Sequence, residues 1–304
     1  RHALKLGKPV VSASKKMLAQ HLPSLLKQAQ ETGQALRYEA AVAAAIPVLH
    51  NLNDALAREP LLGIRGILNG STNYMLTQIS ETGADYTEVL KQAQEKGFAE
   101  EDPTLDVDGW DAMYKTVLLA YQGYGRYIPP QQVPFWGISR LGAEENRLAQ
   151  EFGGTIRLVS RIDLTASGLQ ISVLPELLLP TDPFYAIRNE QNAVEVQASF
   201  SGAHLWAGAG AGGQPTGSAL VLDLCQLPEP YAPSQRLPNP HLADDQPVKL
   251  FVLSPNGIDL PRYGQVLESR SRGKVVKVEF AQLQPLLQAL QPDPSGSVVR
   301  LPKS

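Results

Sequence analysis

Between Gly97 and Lys115 the chain reads Gly-Phe-Ala-Glu-Glu-Asp-Pro-Thr-Leu-Asp-Val-Asp-Gly-Trp-Asp-Ala-Met-Tyr-Lys, and this stretch constrains the fold more than any other. Six carboxylates fall within twelve residues and run directly into an apolar helical segment. The acidic turn stays near water while Val117, Leu118 and Leu119 supply core. Asp108, Asp111 and Lys115 are spaced i, i+3, i+7, so on a helix they share one face. Two readings follow from the spacing. One is a solvated acidic turn that complements the helix dipole, followed by an ordinary ion pair. The other is a carboxylate-lined pocket with a lysine at its edge, suited to a small cationic substrate and a proton transfer.

Patterning along the rest of the chain predicts an α/β fold built around a mixed sheet. An amphipathic helix is expected over 15–32, interrupted or restarted near Pro23. Strands are expected near 35–42 and 62–68, and helices near 46–57, 70–82, 86–96 and 108–123. Tyr127-Ile128-Pro129-Pro130 through Val133-Pro134 reads as a linker, followed by a helix over 141–152. Strands then follow at 154–163, 168–176 and 192–200. The apolar run His204–Ala207 leads into Gly208-Ala209-Gly210-Ala211-Gly212-Gly213 and a helical run, Pro215–Leu224. The proline-rich stretch 228–245 reads as a second linker. Beyond it, strands at 247–254 and 274–280 and a helix at 281–290 make a small α/β appendage.

Composition excludes several classes. At 304 residues the chain can bury a substantial core and form two domains, or one with an appendage. A net charge of −3 without a basic stripe argues against a nucleic-acid partner. No apolar run of about eighteen residues is present, and the start lacks a signal-peptide core, so no membrane partner is expected. Cys225 is the single cysteine, which suits a reducing cytoplasm, and its apolar helix makes it a core cysteine. The five histidines, His204 beside the glycine run among them, show no ligand spacing.

Three further stretches add to the acidic segment. Val10-Val11-Ser12-Ala13-Ser14-Lys15-Lys16 is a short β-branched strand ending in lysines. Tyr38-Glu39-Ala40-Ala41-Val42-Ala43-Ala44-Ala45-Ile46-Pro47 reads as a strand ending in small residues. Gly66-Ile67-Leu68-Asn69-Gly70-Ser71-Thr72-Asn73-Tyr74 is a strand that breaks at Asn69-Gly70 into a helix start. In order and spacing, these segments resemble the homoserine dehydrogenase family, whose signatures read like G-I-L-N-G-T-T-N-Y and G-Y-A-E-x-D-P-x-x-D-x-x-G-x-D-A-x-x-K. The resemblance covers roughly residues 8–226.

The resemblance implies an NAD- or NADP-dependent oxidoreductase that interconverts L-homoserine and L-aspartate 4-semialdehyde, on the route to threonine and methionine. It implies a homodimer paired through sheets of the catalytic domain. Lys115 matches the proton donor, and Lys15 the lysine at the junction of nicotinamide and substrate. Glu100 and Asp111, with Asp106, Gly70 and Ser71, match the substrate site. Gly97 matches a backbone contact to the cofactor, and Gly210 and Gly212 a loop near the nicotinamide. Glu39, with the carbonyls of Val42, Ala44 and Ile46, matches a monovalent cation site, usually sodium. The implied division is a remnant of a Rossmann-type nucleotide domain (1–33), a catalytic and dimerisation domain (34–200), the glycine loop and a returning helix (201–227), the linker (228–245) and the appendage (246–304).

The chain departs from the family pattern in places. Ser14 stands for asparagine, Ser71 for threonine and Phe98 for tyrosine, and Ala43-Ala44-Ala45 stands for glycines. An alanine is strained at any of those three positions that requires φ > 0. No G-x-G-x-x-G occurs in the first hundred residues, so roughly the first third of the family's usual length, with its pyrophosphate-binding turn, is expected to lie outside this sequence. The run 208–213 is no substitute, because Leu227-Pro228-Glu229-Pro230 breaks any following strand. Two alternatives stand beside the dehydrogenase reading: a non-catalytic amino-acid-binding or interaction paralogue, and an inactive fragment lacking the cofactor domain.

Overall fold

The computed structural model describes residues 1–227, 242–243, 246–254, 257–270 and 273–302. Helix α1 (His2–Lys5) leads to β1 (Val10–Val11), α2 (Lys15–Thr32) and β2 (Leu36–Arg37), which pairs parallel with β1. Helix α2 does not break at Pro23. Proline there lacks the N–H that would bond the Ala19 carbonyl, and Tyr127 Oη donates to that carbonyl instead, at 2.9 Å. Gly33, at φ 63°, then closes the helix in the left-handed conformation.

The strand expected over 35–42 stops at Arg37, and the helix expected over 46–57 contracts to α3 (Val48–Asn53). Between them the chain turns through a 3-10 segment, Glu39–Ala41. The cause is long-range. The Glu39 N–H donates to Asp223 at 2.8 Å, and the Glu39 carboxylate accepts the N–H groups of Leu49 and His50 at 3.0 and 2.8 Å. These bonds satisfy the start of α3 and leave no strand ladder to form. Ala44 sits in this turn at φ 44°, a left-handed conformation that strains a side chain by about 1–2 kcal/mol.

Strand β3 (Leu61–Ile67) runs into α4 (Gly70–Thr82), followed by α5 (Tyr86–Glu95), α6 (Thr104–Val107) and α7 (Trp110–Tyr124). Gly109, at φ 88°, separates α6 from α7, so the helix does not begin at residue 108 as expected. Asp108 therefore leaves the face shared by Asp111 and Lys115 and accepts the Ser139 hydroxyl at 2.6 Å. Then come α8 (Ala143–Glu151), β4 (Thr155–Thr165), β5 (Gly168–Leu178), β6 (Gln191–Ala198), β7 (Gly202–Ala209) and α9 (Gly213–Cys225). The last group is β8 (Val248–Leu253), β9 (Gly264–Ser269), β10 (Lys274–Val278), α10 (Phe280–Leu290) and β11 (Ser297–Arg300).

These strands form one mixed nine-stranded sheet in the order β7-β6-β3-β4-β5-β11-β8-β10-β9. Alternation puts Ile64, Ile162, Val194 and Val196 on one face, where they join Met75 of α4 and Val117 and Leu118 of α7 in the main core. A second cluster packs Leu283, Leu286, Leu287 and Leu290 of α10 against Val248, Leu250 and Val252 of β8 and Val276 of β10. The sheet crosses the boundary expected near residue 245, because β11 runs parallel to β5 with Arg300 opposite Glu176. Most of the expected linker, 228–241 and 244–245, lies outside the described residues. Its Leu242 and Ala243 run beside Leu169.

Cys225 is exposed at the end of α9, with Val221 and Leu224, and so is not the core cysteine expected. The helix is apolar on more faces than it buries. Among the described residues, no helix is long and apolar enough to cross a membrane.

Candidate active-site cleft

The site begins where β3 gives way to α4. Asn69 caps that helix, its Oδ1 accepting the Thr72 N–H at 2.8 Å. Its Nδ2 donates to Asp106 Oδ1 at 2.7 Å and to Asp111 Oδ2 at 3.0 Å. One amide thus ties a helix start to two carboxylates from the acidic segment. Gly70 follows, and a Cβ there would lie 2.7 Å from the Glu190 carbonyl, so the close approach requires glycine.

Asp111 is buried and bridges two lysines. Lys115, one turn further along α7, brings Nζ to 2.8 Å from Asp111 Oδ2 and donates to the Leu68 carbonyl at 2.5 Å. Lys15, the first residue of α2, brings Nζ to 2.7 Å from Asp111 Oδ1. Burial would raise the Asp111 pKa, but the two ammonium groups outweigh it and hold the carboxyl at about 2. Asp106 moves the other way: burial raises it, the neighbouring Asp111 adds to the rise, and the Asn69 hydrogen bond, together with Lys115 and Lys15, only partly offsets both. For Lys15 burial is again the largest influence and lowers the pKa, yet Asp111, Asp106 and Glu100 together raise it. Lys15 is therefore held as a cation.

A cleft of about 430 Å³ opens over this cluster. It gathers the expected Lys15 and Lys115, the carboxylates Glu100, Asp106 and Asp111, the helix start Gly70–Ser71, and the glycines Gly97, Gly210 and Gly212. Of the remaining acidic residues, Glu101 and Asp102 are solvated, as in the plainer reading of that segment.

The residues expected to hold a cation form a neighbouring group. Glu39 is fully buried. His50 Nε2 lies 3.5 Å from Glu39 Oε2 and 3.3 Å from Asp223 Oδ1. Burial pushes the Glu39 carboxyl up to about 7, against the pull of His50 and two backbone N–H groups. The His50 pKa is lowered by burial but raised on balance by Asp223 and Glu39. In the turn 42–46, the Ile46 carbonyl accepts the Val48 N–H at 2.7 Å, and the Ala45 N–H donates to Ala209 at 3.3 Å. That last bond joins the turn to the end of β7, one residue before Gly210. Among the described residues, no group of three or more histidines, cysteines or carboxylates is arranged to hold a metal ion.

Three residues of the site escaped the sequence reading. Asn69 stood inside a motif, and its place before a helix start is the signal that would have found it. Lys96 lines the cleft, and nothing in its spacing announces it. Asn192 is buried with both amide atoms lacking a hydrogen-bond partner. It lies behind Gly210, where any Cβ would collide with it. His204 has a structural place in the β6–β7 hairpin, 2.7 Å from the Ser201 hydroxyl and stacked on Trp206.

Residues 47–225 match the family model for homoserine dehydrogenase. A homoserine dehydrogenase of Lactococcus lactis is 35% identical over 250 residues, covering 78% of this chain and 58% of that protein. That of Bacillus subtilis is 38% identical over 222 residues, covering 73% of this chain and 51% of that protein. The chain thus spans about half the length of these relatives. Among solved structures, a homoserine dehydrogenase from Thiobacillus denitrificans superposes with a TM-score of 0.82 at 26% identity, over 99% of this chain and 78% of that one. A hyperthermophilic archaeal homoserine dehydrogenase in complex with NADPH gives 0.64 at 28% identity, over 77% and 68%.

Proposed function

The chain belongs to the homoserine dehydrogenase family, and from that footing we propose that it forms the substrate half of an NAD(P)-dependent enzyme interconverting L-homoserine and L-aspartate 4-semialdehyde. The observation that carries the proposal is Asp111, a buried carboxylate bridging Lys15 and Lys115 at the wall of a cleft. A surface ion pair has no use for two lysines on one buried acid. In the reducing direction, hydride arriving at the aldehyde carbon leaves negative charge on the oxygen. The Lys115 ammonium, fixed by Asp111 and the Leu68 carbonyl, stabilises that charge and gives up a proton. Lys15 adds a second positive charge at the same wall. Glu100 and Asp106 receive the substrate ammonium, and Ser71 borders the rest of the amino acid.

The reduced nicotinamide supplies the hydride when bound, and the residues along the rim fit it. Gly97, Gly210 and Gly212 put no side chain at the cleft edge, which permits close approach of a flat ring.

A sodium ion in the turn 42–46 would draw on oxygen ligands, as a hard monovalent cation requires. Buried Glu39, raised to about 7, is a carboxylate that a nearby cation would stabilise in its charged form. A homodimer is in keeping with β7, which among the described residues is an edge strand and carries an exposed Leu205. A cytoplasmic setting suits the lone exposed thiol of Cys225.

The test is NADPH-dependent reduction of L-aspartate 4-semialdehyde by the protein that carries this chain, alongside L-homoserine binding to the chain itself. Turnover that depends on Asp111, with homoserine binding, supports the proposal. Absence of both overturns it.

A further inference from the structure

A zwitterionic amino acid entering this cleft brings a carboxylate as well as an ammonium, and the charges already described leave that carboxylate poorly served. Glu100, Asp106, Asp111 and Glu190 all line the cleft and repel it. Lys15 and Lys115 are both drawn onto Asp111, at 2.7 and 2.8 Å. Lys96 is the remaining cation of the lining, and it has no carboxylate partner among the described residues.

Its position is set rather than free. Lys96 follows the last residue of α5 and caps that helix, and Gly97, at φ 74°, turns the chain back toward α4. The next residue, Phe98, is pinned there: its carbonyl accepts the Ser71 hydroxyl, and its ring lies 4.9 Å from that of Tyr74. The Lys96 ammonium stands over the Tyr74 ring, 5.1 Å from its centroid, a cation–π contact that favours this orientation. Tyr74 lies one turn beyond Gly70 on α4. Lys96 is therefore held beside the start of that helix, whose Gly70 and Ser71 N–H groups have no intrahelical acceptor. Asn69 has already taken the Thr72 N–H.

Resting on the amino-acid substrate proposed above, we propose that Lys96, with the first-turn N–H groups of α4, receives the α-carboxylate of the substrate and sets the preference for an α-amino acid over the corresponding amine. Geometry divides the zwitterion accordingly. The ammonium faces Glu100 and Asp106, the carboxylate faces Lys96 and the helix start, and the reacting carbon is left to Lys115.

The experiment uses the chain as it stands and two ligands, L-homoserine and 3-aminopropan-1-ol, which keeps the amine and the hydroxyl but has no carboxylate. Binding of each is followed by NMR titration of wild type, Lys96→Met and Lys96→Arg. Lys96→Met should weaken homoserine binding by roughly three- to tenfold, the range of one partly exposed charge pair, and leave the amino alcohol unchanged. Lys96→Arg should restore most of the homoserine affinity, and added salt should shrink the difference between wild type and Lys96→Met. Equal effects of Lys96→Met on both ligands, or no effect on either, overturn the role of Lys96 while leaving the substrate reading intact. A wild type that binds neither ligand overturns that reading and this inference with it.

Discussion

Replacing Asp111 with asparagine keeps the shape of the side chain and removes the charge that two lysines share. The wild-type carboxyl is held at about 2 against a reference of 3.8. That depression corresponds to roughly 2 kcal/mol of stability near neutral pH. Because the folded pKa is lowered, this stability is fully present above the unfolded value and is lost as pH falls through the folded one. Asp111→Asn also leaves the buried Lys115 without its anion, and removing one partner of a buried pair typically costs about 3–5 kcal/mol. The two figures describe one interaction from two sides, so the expected loss is about 2–5 kcal/mol rather than their sum. Urea unfolding of wild type and variant at a series of pH values measures it. The gap between the two proteins should be wide at neutral pH and should narrow between pH 3.8 and about 2, as the wild-type carboxyl takes up its proton. A loss under about 0.5 kcal/mol, the level of an exposed surface pair, would refute the reasoning. So would a gap of constant size across that range.

Three other outcomes are expected. In the protein that carries this chain, Lys115→Ala should lower kcat by about 10²–10⁴ with KM for the aldehyde nearly unchanged, whereas Glu100→Ala should act mainly on KM, since its ammonium partner is present in ground and transition states alike; steady-state kinetics with circular dichroism as a folding control separates the two, and near-wild-type kcat for Lys115→Ala would move proton donation to Lys15 or water. This chain alone should bind NADPH weakly in a calorimetric titration, because its glycine run follows β7, an antiparallel edge strand, rather than opening a parallel βαβ cradle; micromolar binding would show that the run serves as the cradle after all. Sodium chloride should raise Tm relative to choline chloride well above pH 7, where the Glu39 proton no longer competes with a cation, and much less below it, and Glu39→Gln should abolish the difference; a sodium effect independent of pH would remove Glu39 from the cation site.

Local chemistry made some of this molecule readable in advance. Helices α2 and α4 span 15–32 and 70–82 as expected, because Gly33 and Gly83 close them and Asn69 opens the second. Residues Gly97–Lys115 pointed to the cleft because carboxylates and an apolar helix so close together leave few arrangements. What stayed hidden was decided at a distance. The turn after Arg37 depends on Asp223, far along the chain, and Pro23 is tolerated because Tyr127 reaches back to Ala19. Strand β9 is an exposed edge without an apolar face to announce it, and β11 is four residues long. Asp108 was grouped with Asp111 by a helical count that Gly109 interrupts. No local pattern predicts that Lys15 and Lys115 meet on one acid.

The position of β11 also bears on how the protein is made. The end of strand β5 around Glu176 cannot acquire its outer neighbour until Ser297–Arg300 has left the ribosome, although β4 and β5 can zip together as a hairpin, and Pro134–Trp136 can close on Val173, long before. During that interval the end of a strand destined to be buried stands open at a sheet edge, ready to pair with another nascent chain. Synthesis rate and chaperone supply, rather than final stability, should then govern the yield of correctly assembled protein from an expressing cell.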